Sequence, residues 1–209
     1  MVSARDALIQ LREGNRRFSQ NRLDPGDAGT SRRLALTSGQ EPIAILLGCS
    51  DSRVPAEIVF DQGLGDLFVI RVAGNIVAPS LVGSIEFAAD RFSTRLVVVL
   101  GHSQCGAVEA TLEELLNPTG HHSPNLRSIV DRIAPAVESL VVNGEQSDLL
   151  LDRAVRANVR ASVNQLRHGS RILEDLQATS NLFIVGAEYS LETGVVDFFE
   201  GVPAEWNIS

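Results

Sequence analysis

Two short runs in the chain are apolar at every position, AILL at 44–47 and LVVVL at 96–100. An unbroken apolar run of strand length belongs to a strand buried on both faces, as in a parallel sheet covered by helices. The first strand is predicted over Ile43–Leu47 and the second over Leu96–Leu100, with further strands over Leu67–Val72 and Leu182–Val185. Between them the apolar residues recur at helical spacing. Ser3–Gln20 places Ala7, Leu8, Leu11 and Phe18 near one face and Arg5, Glu13 and Arg17 elsewhere. Ser3 is suited to cap that helix and Asp6 to its first turn. Its apolar face is expected to suit the surface of a partner. Further helices are predicted over Ser31–Ser38, Leu81–Phe92, Ala107–Leu116, Arg127–Val142, Leu149–Leu166 and Arg171–Gln177, with a loop over Asn117–Asn125. Strands alternating with helices predict an α/β fold with a mostly parallel sheet flanked by helices. No linker divides the chain, so one domain is expected over 1–209, with an N-terminal helical arm over about 3–38.

The 209 residues are 44% hydrophobic, enough for a real core, and 5% aromatic, so small aliphatic residues do most of the packing. A net charge of -8 repels phosphate backbones, so nucleic acid is not expected as a partner. No apolar run is long enough to span a membrane, and MVSARDALIQLREGNRRF does not read as a secretory leader. A cytoplasmic location is therefore expected. In that setting the two cysteines are read as thiols for a metal or for catalysis.

Those cysteines sit in matched places. Each of the two fully apolar runs is followed by one glycine and then by a metal-capable residue: Gly48 by Cys49, and Gly101 by His102, with Cys105 three residues on. In open parallel sheets, binding groups gather past the C-terminal strand ends. Adjacent strands would bring Cys49, His102 and Cys105 to one point. Two thiolates and an imidazole suit zinc and leave a fourth position for water. A Cys49–Cys105 disulfide is the main alternative, but it leaves His102 without a role. A closed structural or sensing site with Asp51 as fourth ligand is another. Asp51 is placed to orient a water at the metal, and Arg53 to hold that carboxylate ionised and turned aside.

CSDSRVPAE at 49–57, GHSQCGAV at 101–108, GDLFVIRVAGN at 65–75 and GSIEFA at 83–88 resemble the β-class carbonic anhydrases. The resemblance implies reversible hydration of carbon dioxide to bicarbonate and a proton, in a homodimer or a tetramer built from dimers. It implies one Zn2+ per chain on Cys49, His102 and Cys105, with Asp51 and Arg53 as the catalytic dyad. Gln40 matches a glutamine that reaches the substrate from the neighbouring subunit. Phe68 and Phe87 match positions lining the pocket, and the Gly106 N–H matches a donor to bound anion. Carbonyl sulfide and carbon disulfide hydrolases share these ligands and remain an alternative. Some bacterial members bind inhibitory bicarbonate through Trp, Arg and Tyr. Arg71 and Tyr189 match two of these, but Leu46 occupies the tryptophan position. That points to the plant-like, open subtype and leaves Arg71 and Tyr189 to packing or to holding a loop. His121 and His122 lie in a polar loop, where a solvated pair or a proton shuttle is expected, and His168 is expected at a helix C-terminus.

Overall fold

The computed structural model describes residues 2–24, 29–118, 123–142 and 149–206. In chain order its main elements are α1 (Ala4–Ser19), α2 (Thr30–Ala35), β1 (Ala44–Gly48), α3 (Ala56–Val59), β2 (Leu67–Arg71) and α4 (Pro79–Arg91). There follow β3 (Leu96–His102), α5 (Gly106–Leu116), α6 (Pro124–Val142), α7 (Leu150–His168), α8 (Arg171–Thr179), β4 (Phe183–Tyr189) and β5 (Val196–Glu200). The five strands form one sheet in the order β2-β1-β3-β4-β5. The first four run parallel and β5 pairs antiparallel with β4.

The two all-apolar strands sit side by side in the middle of this sheet, and their side chains alternate between two cores. Ala44 and Leu46 of β1, with Leu96, Val98 and Leu100 of β3, join the layer that includes α1 and α3. Ile45 and Leu47, with Val97 and Val99, face α4, α7 and α8. Burial on both faces explains why neither run alternates with polar residues. A third cluster, from α5, α6 and α7, closes over the C-terminal strand ends around Cys49 and Cys105.

Helix α1 is capped by Ser3, whose side chain accepts from the Asp6 N–H. Its apolar face does not await a partner. Ala7, Leu8 and Leu11 are no more than 1% exposed against the chain's own sheet, so the expected partner surface is spent on the internal core.

Pairing carries β1 on to Gly48, opposite Arg71, and β3 on to His102, opposite Tyr189, slightly past the predicted ends. Strand β5 and the four-residue α3 were not anticipated. The stretch VDFFE puts two aromatics side by side and so lacks the alternation that marks a strand. Helix α7 ends at His168 as expected. No helix among the described residues is long and apolar enough to cross a membrane.

Candidate metal centre

Strands β1 and β3 are parallel neighbours, with Gly48 in register with Leu100. Cys49 therefore leaves β1 beside the point where β3 ends at His102. Cys105 follows as the residue before the first turn of α5. One ligand atom from each of Cys49, His102 and Cys105 lies within 4.8 Å of the others, and all three residues are buried. Both cysteines are free thiols, so the disulfide alternative is not formed.

His102 is oriented for coordination. Its Nδ1 lies 2.9 Å from the Ser103 carbonyl. A carbonyl oxygen only accepts, so Nδ1 carries the proton and Nε2 presents its lone pair. Nε2 is buried without a hydrogen-bond partner. Leaving such a group unpaired costs about 1–3 kcal/mol, a cost that a metal at this point removes. Burial opposes charge on His102, yet the nearby Cys49 sulfur, the Ser103 carbonyl and Asp51 together move its pKa up.

The thiols also fit a cation. The hydrogen bond from Cys105 lowers the Cys49 thiol to about 4, against the opposing effect of burial. The same contact, followed by burial, pushes Cys105 up. Gly74 adds a backbone N–H to the Cys49 sulfur at 3.3 Å.

Asp51 and Arg53 form the expected pair, with both carboxylate oxygens engaged. Arg53 donates its backbone N–H and its Nε to Oδ1, each at 2.9 Å, and its Nη2 to Oδ2 at 2.7 Å. The Arg53 hydrogen bond holds the Asp51 carboxyl well below the usual carboxylate range. Oδ2 also lies 3.8 Å from His102 Nε2, so one edge of the carboxylate faces the centre. Arg71 holds the same loop from below. It donates Nε to the Cys49 carbonyl at 2.9 Å and Nη2 to the Asp51 carbonyl at 2.6 Å. Tyr189 is buried, its ring 6.2 Å from that of Phe18.

Gly106 opens α5 next to Cys105, and its Cα faces open space. Gln40, Phe68 and Phe87 lie elsewhere. Gln40 precedes β1 at the end of the sheet opposite Cys49, and five residues of strand separate the two ends by about 17 Å. Phe68 pairs with Ile45 near the start of β2, and its ring packs 6.3 Å from that of Phe87 on α4. Phe87 is 54% exposed. One chain thus assembles Cys49, Asp51, Arg53, His102, Cys105 and Gly106, and leaves the other three at a distance. His121 and His122 lie outside the described residues. The role of Gly74 was not read from the sequence. Its backbone N–H carries no residue-type signal beyond the glycine itself.

The family model described as "Carbonic anhydrase" matches residues 44–196. Carbonic anhydrase 2 of Mycobacterium tuberculosis is 39% identical over 188 residues, covering 88% of this chain and 87% of its own. The carbonic anhydrase of Mycolicibacterium smegmatis is 40% identical over 191 residues, covering 90% and 89%. The solved β-carbonic anhydrase CcaA superposes with a TM-score of 0.74 at 26% identity, covering 94% of this chain and 93% of that one.

Proposed function

We infer the working of this site from a premise that the matches supply: the chain belongs to the β-class carbonic anhydrases and is a carbonate dehydratase, acting on carbon dioxide and bicarbonate. The metal is zinc, one ion per chain, held by Cys49, His102 and Cys105. The observation that carries this is the buried, unpaired Nε2 of His102 converging with two free thiols within 4.8 Å. Soft thiolates with an imidazole favour zinc over magnesium or calcium. When bound, the ion supplies the Lewis acidity that makes water a nucleophile near neutral pH.

The chain's own groups do the rest. Asp51, kept ionised by Arg53, accepts a hydrogen bond from the attacking water and so turns a lone pair toward the carbon of carbon dioxide. Arg53 holds both carboxylate oxygens and keeps Asp51 from closing onto the three ligands. The Gly106 N–H, at the positive end of α5, stabilises charge growing on the product oxygens. Gln40 cannot span the sheet to its own chain's centre, so it serves the centre of a second subunit in a homodimer. Phe68 and Phe87 come with it as an apolar wall for a neutral substrate. The exposure of Phe87 on the Gln40 side supports that assembly. Dimers of this kind can pair into a tetramer.

The test joins metal analysis to a stopped-flow carbon dioxide assay on the purified chain. About one zinc per chain is expected, with hydration that a chelator abolishes. Activity without zinc refutes the metal reading. Zinc-loaded protein that hydrates no carbon dioxide refutes the catalytic one.

A further inference from the structure

Helix α7 buries one stripe of its surface against the sheet, and the stripe is apolar at Ala154, Val155, Val159, Val163 and Leu166. Two residues break it, Asn158 at 2% exposure and Ser162 at 4%. A buried polar side chain costs stability unless it is paired, so its partners show what it is for. Asn158 Nδ2 donates to the Gly74 carbonyl at 2.8 Å, and Ser162 Oγ donates to the Asn75 carbonyl at 3.1 Å. The two side chains, one helical turn apart, hold two consecutive carbonyls of the same turn.

That turn is left-handed. Gly74 has φ 69° and ψ 21°, and Asn75 follows at φ 43°. Asparagine tolerates the left-handed conformation better than other L residues, and here the two buried donors of α7 hold it in place. The product of this geometry is the direction of one N–H, because the Gly74 amide points at the Cys49 sulfur 3.3 Å away. Helix α7 reaches the turn because the sheet beneath it carries glycines. A Cβ at Gly101 would stand 2.6 Å from Val159, and one at Gly186 would stand 2.8 Å from it.

We propose that Asn158, assisted by Ser162, is a positioning residue for the metal centre: it holds the Gly74–Asn75 turn so that the Gly74 N–H stays on the Cys49 sulfur and sets how strongly that thiolate binds and donates to the metal. This rests on the reading of Cys49, His102 and Cys105 as zinc ligands, and it adds residues that touch neither ligand nor substrate. Outer groups of this kind typically govern metal affinity by about 10–100-fold.

The experiment compares the full chain with Asn158→Leu, which keeps the branched outline and the number of heavy atoms and removes the donor, and with the milder Ser162→Ala. Val163→Ala, on the same helix but in the core away from the turn, controls for lost packing. Three quantities are read: zinc affinity by chelator competition, the sulfur-to-metal charge-transfer band of the Co2+-loaded protein, and Gly74 amide exchange in metal-free protein. Asn158→Leu is expected to weaken zinc binding about 10–100-fold. It should move the band to longer wavelength, since a thiolate that loses a hydrogen bond gives up electrons more readily, and speed Gly74 exchange about tenfold or more. Ser162→Ala should shift all three in the same direction by less. Val163→Ala should lower the melting temperature and leave the centre unchanged.

A folded Asn158→Leu protein with wild-type affinity, band and exchange overturns the proposal. If that variant does not fold, Ser162→Ala decides by the same criteria. Wild-type protein that binds neither Zn2+ nor Co2+ defeats the zinc reading instead, and Gly74 exchange in the variants then still decides whether α7 positions the turn.

Discussion

Replacing Asp51 by asparagine tests the chemistry of the dyad with little change of shape. In the structure Oδ1 accepts two N–H groups of Arg53 and Oδ2 accepts a third, so Arg53 claims both oxygens. What remains for an attacking water is acceptor capacity on the edge of Oδ2 that faces His102 at 3.8 Å. An asparagine that keeps its oxygen on Arg53 turns its NH2 toward the centre, where an acceptor is required. Rotated the other way, it sets its NH2 against the guanidinium. Neither arrangement both satisfies Arg53 and accepts from the water. A positioned proton acceptor contributes about 10²–10⁴-fold, which is roughly 2.7–5.4 kcal/mol at about 1.36 kcal/mol per factor of ten. The expected loss in kcat/KM falls in that range, read by stopped-flow carbon dioxide hydration and normalised to bound zinc.

The pH dependence of this loss follows from the direction of the Asp51 shift. Arg53 depresses the carboxyl below its ordinary range. The charged form, with its contribution to stability and catalysis, is therefore complete above the unfolded value of about 3.9 and lost only as pH falls through the lower folded value. The ratio of wild-type to Asp51→Asn activity should then stay flat from about pH 6 to 9. A variant with more than a tenth of wild-type activity at matched zinc content, or a ratio that changes tenfold across that window, would falsify the assignment.

Three further outcomes are expected. Alanine at Gly74 must hold φ 69° and would place its Cβ 2.7 Å from Ile133 Cδ1 and 3.1 Å from Ala107 Cβ. Left-handed strain of about 1–2 kcal/mol with overpacking of about 1–3 kcal/mol should lower stability by roughly 2–5 kcal/mol, and a thermal melt within error of wild type rejects the estimate. Co-expressed Gln40→Ala and Asp51→Asn chains should form hybrid dimers with one intact centre and about half the wild-type activity, although each variant alone is poor; no recovery in the hybrid rules out Gln40 acting across subunits. Bicarbonate should inhibit without cooperativity, because Leu46 is fully buried in the core and Arg71 is already committed to the Cys49 and Asp51 carbonyls. Sigmoidal bicarbonate dependence, or bicarbonate bound beside Arg71, contradicts this.

What the sequence made legible here, and what it hid, divides along the range of the interactions. Each half of the candidate metal centre is a local event: an apolar strand, one glycine, then Cys49 or His102. Only one nonlocal step was needed, the adjacency of β1 and β3, and two runs buried on both faces belong together in the middle of a sheet. The Asp51–Arg53 pair spans two residues and was equally plain. The expectations that strayed concern surfaces. The stripe of Ala7, Leu8 and Leu11 states that α1 buries one face, but the same stripe fits the chain's own sheet or a neighbour's, and here it meets its own. Asn158 is harder still, since an asparagine on a helix reads as surface until its partner is known. That partner is the carbonyl of Gly74, 84 positions earlier, in a backbone conformation that leaves no mark on the residue pattern except the glycine. Long-range hydrogen bonds to main-chain atoms carry no complementary side chain to search for. The three residues that converge at the strand ends could therefore be named from sequence, whereas Asn158 and the Gly74 carbonyl it holds could not.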